Sequence, residues 1–276
     1  MIRKKGGKGK WNLFRLEPII LGLIILFPAQ VFSLSGSQIL EKAFQANIIE
    51  SFRAELALNT QTGRGKNFHL KLTVLGKGDP RKDLSLLLIF REPPSSRGIK
   101  LLVLARKDTL TKVYVYMPAL GKYFHLVGED RNMKLGDSEM NIYDLVAIVP
   151  WEGKHKLIGE EKYNGNACYL VESILPGEKN KRITRIGKKT LLPLTTQKVD
   201  LRGNCLKTVE VLNFKKVISK YAITSLRVNN LQNHTTTTMK VLSSRWYINI
   251  PDEVFQPEKL GISLSELMEE GREKEF

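Results

Sequence analysis

Cysteine and histidine are scarce in this 276-residue chain, which has two of the first and four of the second. The four histidines, His69, His125, His155 and His234, have no second ligand residue at the spacing of a metal site. A glycine-rich phosphate loop, a nucleophile elbow and a cysteine–histidine pair are also missing. We therefore expect no metal, no cofactor and no catalytic residue, and a protein that is not an enzyme.

The two cysteines, Cys168 and Cys205, lie far from the N-terminus. In an exported protein they could form a disulfide, and unpaired core thiols are also common in a chain of this size, so both states stay open. A bacterial lipoprotein needs a cysteine at its cleavage site. Its lack here predicts a soluble mature protein without a lipid anchor.

Long apolar runs are also rare, and the clearest one stands near the N-terminus. Basic residues from Arg3 to Lys10 precede the apolar run at 19–27, and Val31 and Ser33 fit a cleavage site before Leu34. This order predicts a secretory signal peptide over residues 1–33. The alternative is a membrane anchor, but the run is well short of the roughly 20 residues that a spanning helix needs.

The formal net charge of +16 suits attraction to anionic surfaces such as membranes or nucleic acid. A secretory signal argues against nucleic acid as a partner, so we expect none, while transient contact with a membrane surface stays open. The simplest interpretation places these charges on solvated strand faces.

The remaining sequence predicts one mainly β domain. Ser35 and Gln38 have capping-box spacing, and an apolar stripe then predicts a helix over 37–48. Strands follow at short spacing, interrupted by a second short helix at 139–147, as in a sandwich or barrel. The strands at 84–90 and 99–105 are apolar on both faces, so both faces must be covered. A covering helix over such a sheet makes an apolar pocket, which indicates a carrier or sensor of hydrophobic ligands.

Two local features add detail. A four-residue loop at 118–121 would place Tyr116 opposite Tyr123 and Tyr114 opposite His125 in a hairpin. Carboxylates cluster near the second helix, at Asp130, Asp137, Glu139 and Asp144. They are typical of solvated loops and helix caps, and the alternative is a hydrolase that uses them as acid and base.

The order of several segments over nearly the whole mature chain resembles the outer-membrane lipoprotein-sorting proteins of the LolA-like superfamily. The matching segments are RGIKLLVL (97–104), VYVYMPALGK (113–122), GEDR (128–131), YDL (143–145), NACYLVES (166–173), TLLPL (190–194) and NIPDEVFQPEKL (249–260). The resemblance implies a mainly β fold with a few helices (α+β). It would be an incomplete antiparallel β-barrel, or strongly curved sheet, covered on its concave side by helices. We expect one such domain over 34–276, with a charged tail from about residue 262.

The resemblance also implies a periplasmic carrier that moves acyl chains of lipoproteins or related lipids between the inner and outer membranes. An inner-membrane transporter would be the donor, and an outer-membrane protein the acceptor. The alternative is a periplasmic sensor or accessory domain that works with a membrane transporter or signalling protein and carries no lipid.

The predicted cavity lining comes from alternate residues of the apolar strands and the hairpin. A one-residue error in a strand would move its whole set to the other face. The predicted residues are Leu56, Leu58, Leu70, Leu72, Leu86, Leu88, Phe90, Leu102, Leu104, Val115, Met117 and Phe124.

Overall fold

The computed structural model describes Met1 and residues 34–107, 109–128, 130, 133–146 and 150–273. The predicted signal peptide therefore lies, apart from Met1, outside the described residues and stays a prediction.

Thirteen strands form a single antiparallel sheet that is curved and not closed. Along the sheet the order is β6-β5-β4-β3-β2-β1-β13-β12-β11-β10-β9-β8-β7, so strands from the two ends of the chain meet at β1 and β13. The mainly β prediction is confirmed. The strands are β1 (Ser51–Gln61), β2 (Asn67–Asp79), β3 (Asp83–Glu92), β4 (Lys100–Arg106), β5 (Thr109–Met117), β6 (Lys122–Leu126), β7 (Lys154–Tyr163), β8 (Asn166–Ile174), β9 (Lys181–Gly187), β10 (Pro193–Val199), β11 (Cys205–Val217), β12 (Lys220–Asn230) and β13 (Thr235–Trp246).

The first helix, α1 (Gly36–Asn47), begins at the predicted capping box. Gln38 N donates to Ser35 Oγ at 3.2 Å, and Ser35 N donates to Gln38 Oε1 at 2.8 Å, which satisfies two N–H groups that the helix leaves unpaired. Its predicted apolar stripe is buried, at Ile39, Leu40, Ala43 and Phe44. The stripe joins one large core cluster with the face of the sheet that carries Leu58, Leu72 and Leu101, which we call the inner face.

The opposite, outer face of β2 to β5 is covered by the C-terminal segment. Leu75, Leu87 and Leu102 on this face form a second cluster with residues from Ile250 to Leu267. That segment contains two short 3-10 helices, Asp252–Phe255 and Pro257–Lys259, and α3 (Leu264–Glu273). The prediction that β3 and β4 are covered on both faces is therefore confirmed. Part of the expected charged tail is a helix whose Leu267 is buried.

The β5–β6 hairpin has the predicted register, with Tyr116 opposite Tyr123 and Tyr114 opposite His125. The rings of Tyr114 and His125 stack with centroids 4.8 Å apart. Gly121 ends the turn at a φ of 59°, in the left-handed region that glycine adopts without strain.

The second helix, α2 (Ile142–Val146), is shorter than the predicted 139–147. Asn141 and Asp144 cap it reciprocally, since each backbone N–H donates to the other residue's side chain at 2.8 and 3.0 Å. Glu139 lies before the helix, and its carboxylate is bound by Lys134, Asn230 and Asn233. After α2, Glu152 accepts a hydrogen bond from the backbone N–H of Thr111 in β5 and so links β5 to the segment that enters β7.

Candidate functional site

An apolar cavity of about 240 Å³ lies between α1 and the inner face of the central strands. Its walls come from α1 and α2 and from β1, β2, β3, β12 and β13. The lining includes Phe44, Ile48, Phe52, Ala54, Leu56, Val74, Leu84, Leu86, Tyr221, Ala222, Leu226, Met239, Val241 and Trp246. The sheet and the helix thus border an open space whose walls are mainly hydrocarbon, with Asn47 and Asp144 as polar exceptions.

Two glycines in β2 give cavity-lining side chains room to lie against the strand. A Cβ at Gly76 would collide with the ring of Phe52, and one at Gly78 would lie 2.6 Å from Ile48 Cδ1. Glycine inside a strand often marks such a close approach. Phe52 in turn contacts Trp246, with ring centroids 5.7 Å apart. The LGKG stretch of β2 was therefore a usable signal for this wall, although we did not predict it.

Eight of the twelve predicted lining residues lie in the inner-face cluster. Two of them, Leu56 and Leu86, line the cavity. The other six belong to the same cluster but are not among the cavity's lining residues; they are Leu58, Leu70, Leu72, Leu88, Phe90 and Val115. The cavity therefore lies nearer to β12 and β13 than the sequence predicted.

The other four predicted residues lie elsewhere, and their placement corrects the prediction. Leu102 and Leu104 are on the outer face, against the C-terminal segment, because the inner-facing residues of β4 are Leu101, Val103 and Ala105. Met117 and Phe124 are 39% and 42% exposed near the β6 edge. The apolar run of β4 contains no polar residue that would show which side chains face which side of the sheet. The prediction therefore assigned the even-numbered residues to the inner face, whereas the odd-numbered residues lie there.

Cys168 and Cys205 are both free thiols, so the disulfide alternative is wrong for this structure. Cys168 lies in β8 and Cys205 in β11, with β9 and β10 between them. Three inter-strand spacings amount to about 14 Å, whereas bonded cysteines have Cα atoms within about 7 Å. Burial raises the pKa of the Cys168 thiol, which keeps it protonated and unreactive.

A second, smaller cavity of about 60 Å³ adjoins the apolar one. Apolar side chains such as Leu40, Val209 and Leu226 form much of its wall, and we call it the polar cavity after the charged and polar side chains that also line it. The two cavities share lining residues, namely Asp144, Pro193, Ile223 and Leu226. The polar lining comes from Tyr143, Glu152, His155, Ser173, Arg182, Thr184 and Thr196. Sequence analysis missed this site, because its residues are scattered from 143 to 196 and meet only when β7 to β10 pair.

Side chains of the polar cavity hold one another in place. Ser173 Oγ and His155 Nδ1 are 2.8 Å apart, and the hydroxyl of Tyr143 donates to Glu152 at 3.2 Å. Burial lowers the pKa of His155, an effect that nearby backbone carbonyl groups partly offset, so the imidazole is neutral at neutral pH. The guanidinium of Arg182 lies over the ring of Tyr143, with its Cζ 5.5 Å from the centroid.

Acidic residues beside the polar cavity are paired with cations. Glu178 accepts from Arg182 Nη2 at 2.6 Å and also contacts Lys198, while Asp144 pairs with Lys207. Burial alone would raise the pKa of Glu178, but the charges and hydrogen bonds of Arg182 and Lys198 outweigh burial and lower it. Arg182 therefore enters the cavity with its charge already balanced.

Two of the carboxylates considered for hydrolysis are bound by other side chains or by backbone groups. Glu139 is bound to Lys134, Asn230 and Asn233, whereas Asp144 caps α2. Among the residues that the structure describes, no group of three His, Cys, Asp or Glu side chains could hold a metal ion. Over the same residues, no helix has the length and apolar character needed to cross a membrane.

Comparison with known proteins identifies relatives of the fold. A family model with the description "-like: Uncharacterized protein" matches residues 82–261. No curated protein matches the sequence. A putative outer membrane lipoprotein-sorting protein domain from Vibrio parahaemolyticus has a TM-score of 0.75 at 17% identity, covering 82% of this chain and 98% of the other.

Two further solved structures agree with that comparison. A DUF1329 family protein from Desulfovibrio piger gives a TM-score of 0.73 at 21% identity, covering 82% of this chain and 97% of that protein. A LolA superfamily protein from Nitrosomonas europaea gives 0.65 at 18% identity, covering 82% and 99%. The chain therefore has the LolA-like fold, as the sequence resemblance implied.

Proposed function

Because the chain belongs to the family described as "-like: Uncharacterized protein" and has the LolA-like fold, we propose that it is a soluble periplasmic lipid carrier. It binds acyl chains of lipoproteins or related lipids and moves them between the inner and outer membranes. The observation that carries this proposal is the apolar cavity of about 240 Å³ between α1 and the sheet.

The size of the cavity suits reversible binding of acyl chains. An apolar cavity of about 150 Å³ already binds a molecule such as benzene. Each buried CH₂ contributes about 0.8 kcal/mol, so a few acyl carbons give useful affinity that a membrane can compete for. Transfer by differences in affinity needs no covalent step, so in this proposal the protein is not an enzyme.

The arrangement of α1 supports the same function. In the proposal α1 covers the concave side of the sheet, and its Ala43 and Phe44 form one wall of the cavity. Besides side-chain packing, two hydrogen bonds hold the C-terminal end of α1: Asn47 donates to Thr190 O at 3.1 Å and accepts from Tyr221 N at 3.2 Å. In the proposal, a movement of the rest of the helix admits an acyl chain.

Export and partners complete the proposal. Residues 1–33 would direct secretion and be removed, leaving a single domain over 34–276 without a lipid-anchored cysteine. An inner-membrane transporter would load the carrier, and an outer-membrane acceptor would unload it. The β5–β6 hairpin is the candidate contact for these partners, since β6 is an edge strand with exposed Tyr123 and Phe124.

The direct test is to express the full chain in a Gram-negative host, purify the exported protein without detergent and identify its bound lipid by mass spectrometry. We expect acyl lipid in the wild type and much less in Ala222→Phe, because residue 222 is buried in the cavity wall. Ala119→Phe, at an exposed position of the hairpin turn, is the matched control and should retain the lipid.

The opposite result would favour the sensor or accessory domain. A protein that purifies without lipid, exchanges none with vesicles and co-purifies with a membrane protein would contradict the carrier. Equal lipid content in the wild type and Ala222→Phe would show that any bound lipid lies outside this cavity.

A further inference from the structure

The inner face of the sheet changes character from one half to the other. On β1 to β5 it carries aliphatic and aromatic residues such as Leu58 and Phe90. On β8 to β10 the same face carries, beside the buried Val171 and Ile186, the polar Ser173, Arg182 and Thr184, which line the polar cavity. A pure hydrocarbon ligand would need only the first half, so the second half indicates a ligand with a polar end.

Arg182 supplies a hydrogen-bond donor that the described part of the chain leaves unused. Its Nη2 donates to Glu178, but its Nε is buried and has no hydrogen-bond partner among the described residues. The whole side chain is 12% exposed. An unpaired buried N–H of a charged group is costly, so this donor suits an acceptor atom that enters the cavity.

Arg182 is one of the residues that line the polar cavity. The polar and apolar cavities share Pro193, Ile223 and Leu226 in their walls. A ligand whose chain fills the apolar cavity would therefore place its polar end in the polar one. The polar cavity, at about 60 Å³, has room for a group of two or three heavy atoms.

The charges around the polar cavity favour a neutral acceptor over an anion. Glu178 already balances Arg182, and Asp144 and Glu152 add two further carboxylates to the lining. Lys207 pairs with Asp144 and Lys198 with Glu178, so no surplus positive charge is left for a free fatty-acid carboxylate. His155 is neutral and adds no charge.

We propose that the protein recognises acyl esters, with the chain in the apolar cavity and the ester carbonyl oxygen accepting a hydrogen bond from Arg182 Nε. This inference rests on the proposed carrier function and adds the chemical class of its cargo. The ester could belong to a glycerolipid or to the diacylglyceryl group of a lipoprotein, since both present the same carbonyl.

The test compares ester and ether lipids of equal chain length. Dipalmitoylglycerol and dihexadecylglycerol differ in the carbonyl groups and otherwise fill the same space. The affinity of each lipid for the full mature protein is measured by its competition with a fluorescent acyl probe. Palmitate is measured in the same way, as a ligand with a free carboxylate. A synthetic lipopeptide with a dipalmitoylglyceryl cysteine is measured beside dipalmitoylglycerol. Tighter binding of the lipopeptide indicates a lipoprotein as the cargo, and tighter binding of dipalmitoylglycerol indicates a glycerolipid.

The wild type should bind the ester at least about tenfold more tightly than the ether, the range expected for a hydrogen bond to a charged donor. Arg182→Met and Arg182→Lys should bind the two lipids equally. Arg182→Lys keeps the charge beside Glu178 but removes Nε, so it decides the matter if Arg182→Met folds poorly. Arg185→Met is the matched control, because Arg185 lies on the opposite face of β9 and pairs with Glu161.

The outcomes separate this inference from the proposed function. If the wild type binds both lipids equally, or the Arg182 variants keep the ester preference, the ester assignment is wrong and the carrier function stands. Tighter binding of palmitate than of either ester would also overturn the assignment. If none of the lipids binds, the carrier function itself fails and the ester assignment fails with it.

Discussion

The edge of the Phe44 ring meets the indole ring of Trp151, with centroids 4.9 Å apart and an interplanar angle of 77°. Edge-to-face pairs of this kind add to the burial energy of the two rings. Phe44 belongs to α1, and Trp151 to the segment that leads into β7. The contact therefore fastens the helix beside the apolar cavity, whose wall includes Phe44.

Phe44→Ala should lower the free energy of unfolding by about 3 kcal/mol, near the low end for a buried phenylalanine, because the ring already borders the apolar cavity and has fewer packing contacts to lose. Urea denaturation followed by tryptophan fluorescence measures this loss. Phe214→Ala, at a residue that is 43% exposed, is the control and should cost much less. Equal losses in the two variants would contradict the role of Phe44 in fastening α1.

Both cysteines should react with a thiol reagent, since both are free. Unfolded in urea without reductant, the purified protein should react with two equivalents of a thiol reagent per chain, because β9 and β10 separate Cys168 from Cys205. In the native state Cys205, which is partly exposed, should react first, since burial raises the pKa of Cys168. A protein that shows no thiols until it is reduced would contradict the strand order.

Local sequence signals predicted the parts of the fold that depend on neighbours in the chain. The capping box of Ser35 and Gln38 and the register of Tyr116 with Tyr123 are set within a few residues. The facing of β4 could not be predicted, because LLVLA is apolar at every position. Its outer face is covered by residues such as Leu260 and Leu267, which come some 160 residues later.

The candidate site was predicted in kind but only partly in place. Strands that are apolar on both faces, together with an amphipathic helix, predicted an apolar pocket. Leu56 and Leu86 line the cavity that the structure contains. The polar cavity could not be foreseen, because a lone arginine such as Arg182 normally indicates a solvated strand face. Its burial depends on Tyr143 and Glu178, which the sequence alone does not bring to it.

Glu139 should make the stability depend on pH. Burial alone would raise its pKa, but hydrogen bonds from Asn230, Lys134 and Asn233 lower it overall. The pKa of Glu139 is lower in the folded state than in the unfolded state. The ionised carboxylate therefore stabilises the fold fully when the pH is above the ordinary pKa of glutamate. This stabilisation is lost as the pH falls through the folded-state value.

Glu139→Gln should therefore cost about 1 to 3 kcal/mol at pH 7, and the difference from the wild type should shrink in acid. Urea denaturation at a series of pH values measures both effects. Asp137→Asn, at an exposed position of the same loop, is the control and should change little. A difference between wild type and Glu139→Gln that stays constant down to acidic pH would show that the charge of Glu139 is not what holds the loop.

The exposed edge of the β5–β6 hairpin should matter for transfer and not for folding. Phe124 lies opposite the buried Val115 yet is 42% exposed, and within the described part of the chain β6 has no strand on its other side. A ring held in this position is available to a partner that unloads the carrier, and its replacement removes little internal packing because it lies at the exposed edge of the sheet. Phe124→Asp should leave the free energy of unfolding within about 0.5 kcal/mol of the wild type.

The same variant should retain its bound lipid but release it several-fold more slowly to isolated outer-membrane fragments, as followed with a fluorescent acyl lipid. Phe214→Asp, at an exposed position on β11, is the matched control and should release lipid at the wild-type rate. Slow release by both variants would indicate a general effect of the added charge on membrane approach. Wild-type release by Phe124→Asp would exclude the hairpin edge as the contact, and the acceptor would then have to be sought at another exposed apolar position, such as Ile218 in the β11–β12 turn.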